Sequence, residues 1–380
     1  MDLFLETMRQ FVSLLANPGG LLWIFVGVIL GFFMGIMPGL TATLGIALLI
    51  PLTLKLHSGA AIGLAMMVAE FCAGIYAGSF TAILLGIPGT PASAATVFDG
   101  HALAKRGRAG EAIGMASISS FIGGILSGLV MIFASSLIVG FALAFQAPEY
   151  FVLAIYGLLM IAIVRGKSIF KGLISGALGL LVASIGMDPI TAFPRFTFGN
   201  LNLLQGVSLI PALIGLFGLA QTFESLLTSR GEEKKLPVAK VNRIIPSWQD
   251  FRNSLGTILR GTAIGTLIGA IPGTGTDLAA FISYGQAKNA SKEGDKFGTG
   301  VLEGVAAAES ANNAVTGGAL IPTLTLGVPG EAATAVLLGG LMAFGLRPGP
   351  ALFRDNLDLV GTVYASFFLA NLMFLILGLS

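Results

Sequence analysis

Four Pro-Gly pairs, each set in an apolar stretch, carry most of the chemistry this sequence offers: Pro38-Gly39, Pro88-Gly89, Pro272-Gly273 and Pro329-Gly330. Proline removes a backbone donor and glycine accepts turn conformations, so each pair interrupts a helix. Small or hydroxylated residues follow each break: Thr41 and Thr43; Thr90, Ser93 and Thr96; Thr274, Gly275 and Thr276; Ala332, Ala333 and Thr334. A helix that restarts there exposes free N–H groups and the positive end of its dipole, which suits a carboxylate without a buried arginine. The plainer alternative is a set of kinks whose hydroxyls satisfy freed carbonyls. Glu70, Glu309, Asn312 and Asn313 also lie within or beside apolar runs, where polar side chains are costly. Asn312 and Asn313 offer oxygen ligands for Na⁺, while Glu309 or Glu70 offers a carboxyl that carries a proton. Interhelical hydrogen bonding is the plainer role for all four. Asp99-Gly100 reads as a turn into a loop.

The elements that hold these residues repeat. Gly27, Gly31, Gly35 and Pro38-Gly39 return as Gly261, Gly265, Gly269 and Pro272-Gly273, each 234 positions later. Glycines at every fourth residue give a helix one small face, where another backbone comes close in lipid. Paired, interrupted apolar segments in corresponding halves point to a transporter binding site. Of the 380 residues, 55% are hydrophobic and 11% charged, against about 25% charged in a soluble domain. Leu21–Met37, Ala112–Ala144, Tyr150–Val164, Gly172–Gly186, Leu203–Leu219 and Val360–Leu379 are charge-free inside and read as membrane helices. A single Cys72 excludes an internal disulfide, and two histidines leave little for a zinc site or a histidine triad. No paired catalytic residues stand out, so an enzyme is not expected. The net charge of +2 is too small to imply a nucleic-acid partner.

The fold expected is all-α and polytopic, with two homologous, inverted repeats. Residues 1–227 form the first repeat, opening with an interfacial helix at 1–16 through Leu3, Phe4, Met8, Phe11, Val12 and Leu15. Residues 228–253 form a cytoplasmic linker with six basic residues against three acidic, and 254–380 the second repeat. That loop, Lys105–Arg108 and Arg165–Lys171 fall on one side of the membrane by the positive-inside rule. Glu70 pairs with Glu309, because Arg108 and Arg347 each follow by the same interval. The first repeat continues for several spans past the counterpart of Ser380, so the second is expected to extend beyond it.

FDGHALAKRGRAGEAIG (Phe98–Gly114), FGTGVLEGVAAAESANNAVTGGALIPTLTLGVPG (Phe297–Gly330) and GLRPGPALF (Gly345–Phe353) resemble the large permease subunit of tripartite tricarboxylate transporters, the TctA type. The resemblance implies a multi-pass permease of the bacterial inner membrane with two partners. One is a small four-span membrane subunit; the other is a periplasmic solute-binding protein that delivers a carboxylate such as citrate. It implies symport with Na⁺ or H⁺ and no other cofactor, consistent with the lack of a G-x4-G-K-[ST] loop. Kinship with tripartite dicarboxylate carriers implies an elevator mechanism; a homo-oligomer stays open. The family's binding motifs fall on Pro38-Gly39-Leu40-Thr41, Ser79 to Pro91, Pro272 to Thr276, Asn312-Asn313 and Pro329-Gly330. Glu331 departs from the pattern, since a small residue is expected after that break. A stand-alone permease or a passive channel would share this architecture.

Overall fold

The computed structural model describes residues 2–55, 59–144, 146, 148, 149, 151, 152, 155, 156, 169–188, 193–220, 223 and 244–380. The helices are α1 (Asp2–Leu15), α2 (Pro18–Ile36), α3 (Ala42–Lys55), α4 (Gly59–Leu85), α5 (Ala94–Lys105), α6 (Ala109–Ala142), α7 (Ile169–Ala183) and α8 (Leu209–Leu213). Then come α9 (Trp248–Ala270), α10 (Thr276–Ala290), α11 (Leu302–Leu326), α12 (Ala332–Ala343), α13 (Pro350–Asp355) and α14 (Leu357–Leu379). A two-residue antiparallel ladder, Gly186 opposite Arg195 and Met187 opposite Pro194, is the one sheet among the described residues. Among the described residues four helices, α2, α4, α6 and α14, are long and apolar enough to cross a bilayer. The chain is an all-α, multi-pass membrane protein.

Local chemistry sets the helix boundaries. Asn17 caps α2 by accepting from the Gly20 N–H at 3.2 Å, with Pro18 in the first turn. Ser247 caps α9 through the Asp250 N–H at 3.1 Å. At the far ends Pro38-Gly39 and Pro272-Gly273 stop α2 and α9, with Gly39 at φ 93° and Gly273 at φ 82°. The apolar run at 203–219 does not form one span. It divides into a 3-10 turn at Leu201–Gln205, α8 and a π-helical turn at Ile214–Leu219. Gly206 at φ 78° separates the first two, and Pro211 in α8 supplies no N–H to continue a regular ladder. Most of the expected span at 150–164 and most of the 228–253 linker lie outside the described residues.

The glycine faces work as backbone seats. A Cβ on Gly27, Gly31 or Gly35 of α2 would run into the carbonyl oxygen of Met66, Glu70 or Gly74 of α4. On α9 the carbonyls of Ala307, Ala311 and Val315 in α11 stand against Gly261, Gly265 and Gly269 in the same order. Positions 234 apart on one helix therefore seat on positions 241 apart on the other. By this packing the counterpart of Glu70 is Ala311, not Glu309. The extra residues lie in the 291–301 loop between α10 and α11, longer than the link between α3 and α4.

The two runs of helices are interleaved. α6 lies along α11, and α14 lies along α4 and α1. Tyr76 of α4 stacks on Phe374 of α14 at 4.4 Å between centroids. Its hydroxyl shares a 2.6 Å hydrogen bond with Ser117 of α6. α1 buries Leu3, Thr7 and Leu14, with Phe4 and Phe11 packed beside them, while Val12 and Leu15 face outward. The amphipathic helix expected from sequence is there, but only part of its apolar face touches protein.

Candidate functional site

Four helix starts converge on one cleft of about 450 Å³, counting its open side. Thr41, Ala42 and Thr43 line it from the start of α3, and Thr90, Pro91 and Ala92 from the 3-10 turn before α5. Thr276 and Asp277 reach it from α10, Glu331, Ala332 and Ala333 from α12, and Ile75 closes it from α4. Each of the four Pro-Gly breaks thus contributes residues just after it.

The breaks hold one another. The Gly273 N–H donates to the Gly330 carbonyl at 2.8 Å, and the Gly89 N–H to the Gly78 carbonyl at 3.3 Å. The Gly330 N–H donates to Thr323 Oγ1 at 3.2 Å. Gly89 abuts the Gly35 carbonyl so closely that any Cβ would collide with it. Irregular backbone at membrane depth persists where it lines a cavity or is buried in protein, and both conditions are met here.

The expected hydroxyls divide into two groups. Thr41, Thr43, Thr90 and Thr276 line the cleft, and Thr90 Oγ1 is buried with no hydrogen-bond partner among the described residues. Ser79, Thr274 and Thr334 do not line it. Ser79 donates to the Tyr76 carbonyl at 2.8 Å, Thr274 to the Ile268 and Ile271 carbonyls at 2.5 and 2.9 Å, and Thr334 to the Glu331 carbonyl at 2.9 Å. These three satisfy backbone freed by the breaks, the plainer role for such residues. Pro38, Gly39, Pro88, Gly89, Pro272, Gly273, Gly275, Pro329 and Gly330 shape the breaks and add no lining side chain.

Glu331 sits at the cap position of α12. Its side chain accepts from the Thr334 backbone N–H, and its own N–H donates to Thr334 Oγ1 at 3.0 Å. Thr90 and Ser93 make the corresponding pair before α5, with 3.3 and 2.9 Å bonds. Asp277, in the first turn of α10, is a second acid in the cleft; the sequence alone assigns it no role. No lysine or arginine lines the cleft among the described residues, so the groups there that can attract an anion are the helix starts.

The other polar candidates form two separate groups. Glu309 of α11 accepts from Thr96 of α5 and, at 3.2 Å, from Ser120 of α6. Asn313 donates to the same Ser120 at 2.8 Å, while Asn313 Oδ1 has no donor among the described residues. Asn312 lies beside Glu309, and neither of its amide atoms has a hydrogen-bond partner among the described residues. Glu70 is elsewhere, fully buried against Gly45 of α3, with no partner for either oxygen among the described residues. Asp99 does not turn into a loop. It lies within α5, and its Oδ1 accepts from the N–H groups of Gly298, Gly300 and Val301 at 2.8–2.9 Å. Oδ2 accepts from the Tyr284 hydroxyl at 2.8 Å.

Broken helices facing a shared cleft inside a multi-pass all-α bundle define a membrane transport protein. Residues 21–380 match the model of the tripartite tricarboxylate transporter TctA family, and the chain belongs to that family. It is 38% identical over 379 residues to an uncharacterized 52.8 kDa protein in the TAR-I ttuC' 3' region of Agrobacterium vitis, covering all of this chain and 74% of that one. A second Agrobacterium vitis protein, uncharacterized and in the TAR-II ttuC' 3' region, is 43% identical over 115 residues, 30% of this chain and 48% of that one. No solved structure matches.

Proposed function

We propose that this chain is the permease subunit of an ion-gradient-driven importer for a small carboxylate, citrate or a related acid, in the bacterial inner membrane. A periplasmic binding protein delivers the substrate, and a small four-span subunit completes the complex. The observation that carries the reading is the convergence of four broken-helix starts on one cleft without a cationic side chain. Acids already stand at the α10 and α12 starts, so the substrate carboxylates belong at the α3 and α5 side, against Thr41, Thr43 and Thr90. The shared order of breaks and glycine seats supports two related repeats, and their inversion is part of the proposal.

The test is uptake of radiolabelled citrate into proteoliposomes holding the full-length permease, its small subunit and its binding protein, with and without an imposed proton or Na⁺ gradient. Accumulation that needs the gradient and the binding protein is expected. Flux without a gradient would make this a passive channel, and gradient-driven uptake without the partners a stand-alone permease. The donor-free oxygens of Asn312 and Asn313 favour a second reading of the coupling ion, Na⁺. On that reading Asn312→Ala removes the Na⁺ dependence of uptake and leaves the protein in the membrane.

A further inference from the structure

We infer that Glu70 is the proton-carrying group of this transporter, placed one helical turn behind the substrate cleft, and that Glu309 is a clasp between helices. The inference deepens the reading above and rests on it for the substrate, but not for the state of Glu70 itself.

The two acids differ in their surroundings. Glu309 has the donors that a carboxylate needs, Thr96 and Ser120. Glu70 has none among the described residues for either oxygen, though the whole side chain is buried. A carboxylate in such a place is strongly disfavoured unless paired, and a neutral acid is the form that suits it. No cation faces it. α2 and α12 carry no titratable residue, and α3 carries only Lys55, at its far end. α11 carries Glu303, bonded to Thr257 and Ser291 in its first turn, and Glu309, bonded to Thr96 and Ser120; α14 carries Asp358 in its first turn and Tyr364, whose hydroxyl is bonded to Ser135 at 2.7 Å. On α5, Asp99 is held by the 298–301 loop, His101 Nδ1 lies 3.1 Å from the Ile83 carbonyl, and Lys105 ends the helix. On α6, Glu111 pairs with Arg108 at 2.6 Å. On α4 itself the neighbours are the buried Cys72 thiol and the Tyr76 hydroxyl, bonded to Ser117.

Packing does not require the carboxyl. Its counterpart Ala311 meets Ala279 in a dry apolar cluster with Val315 and Ala319. In the first run of helices the same contact is Glu70 against Gly45, and a Cβ on Gly45 would fall on Glu70 Oε1. Compared with that contact, the first run has a carboxyl where the second has a methyl, and a glycine opposite that leaves room for it. The place adjoins the cleft along both helices: α3 begins at the cleft with Ala42, one turn before Gly45, and Ile75 of α4 lines it. A shift of α3 away from α4 admits water from the cleft. The Glu70 O–H bond then breaks, the proton passes to water and the carboxylate remains; a proton from water restores the acid when the cleft faces the other side. Substrate and proton thus report to the same short helix.

The test uses the full-length complex in proteoliposomes with radiolabelled citrate, comparing proton-driven accumulation with citrate–citrate exchange, which moves no net proton. Glu70→Gln is expected to lose accumulation by about tenfold or more, a typical coupling energy, while exchange persists. The double variant Glu70→Ala with Gly45→Ala rebuilds the Ala279–Ala311 contact and guards against misfolding; it should behave the same way. Normal proton-driven accumulation by either variant, or wild-type accumulation driven by Na⁺ alone, overturns the inference. Infrared spectra of the purified permease test Glu70 without any substrate. A protonated-carboxyl band at neutral pH, kept in Glu309→Gln and lost in Glu70→Gln, is expected, and its absence from wild type overturns the inference. Wild-type complex that shows the band but neither accumulates nor exchanges citrate faults the carboxylate reading instead.

Discussion

Thr90 and Glu331 hold the same place in two helix starts, each capping the turn after a Pro-Gly break with a hydroxyl residue three positions on. The difference is charge. The α12 start already has an anion on it, whereas the turn before α5 offers the Thr90 hydroxyl, which has no partner among the described residues, and this polarises the cleft toward its α3–α5 side. Glu331→Gln keeps the shape and removes the charge. It is expected to lower the citrate KM about fivefold, equivalent to about 1 kcal/mol at a partly buried helix start; an unchanged KM would place the substrate away from α12. Asp99 belongs to stability instead. Its carboxylate satisfies three backbone N–H groups and a tyrosine hydroxyl from the other run of helices. Asp99→Ala should therefore cost about 3–5 kcal/mol, read as a lower thermal midpoint in detergent.

The glycine seats set the distance between helices. Gly31→Ala puts a methyl onto the Glu70 carbonyl and should cost about 1–3 kcal/mol as α2 is pushed from α4. Gly140, on α6 with nothing near its Cβ position, is the matched control: Gly140→Ala should leave the thermal midpoint unchanged or slightly raised. These seats and the four breaks were legible in the sequence because each is a local backbone demand written in one or two residue types. The pairing of the two acids was not. Glu70 and Glu309 look equivalent as letters, but carbonyl seats match Glu70 with Ala311, because the added residues lie in the 291–301 loop. The spacing of Gly78 and Ala319 to the following Pro-Gly, the same in both runs, held that signal. Ser79, Thr274 and Thr334 resembled ligands for the same reason that real lining hydroxyls do: broken helices need both. Asp99 was misread because its partners are backbone groups about 200 residues away, which no local pattern announces.

At the scale of the molecule, the two runs of helices are built through each other, with α6 on α11 and α14 on α4. Neither run buries its long central helix alone. Residues 1–227 and 244–380 expressed separately are expected to be degraded, and to co-purify as a protease-resistant pair when made together; a stable lone fragment would show that the interleaving is not required. The cleft that they enclose has no lysine or arginine among the described residues, and this has an electrical consequence. Helix dipoles cradle an anion but add no mobile charge, so on the proposed reading each carboxylate takes its full charge across the field. Against an inside-negative membrane that work is about 2.3 kcal/mol per charge per 100 mV, about 7 kcal/mol for a trianion. One proton on Glu70 offsets one of those charges. The others must be cancelled by protons already on the substrate or by further cations, so the net current that accompanies uptake will count them.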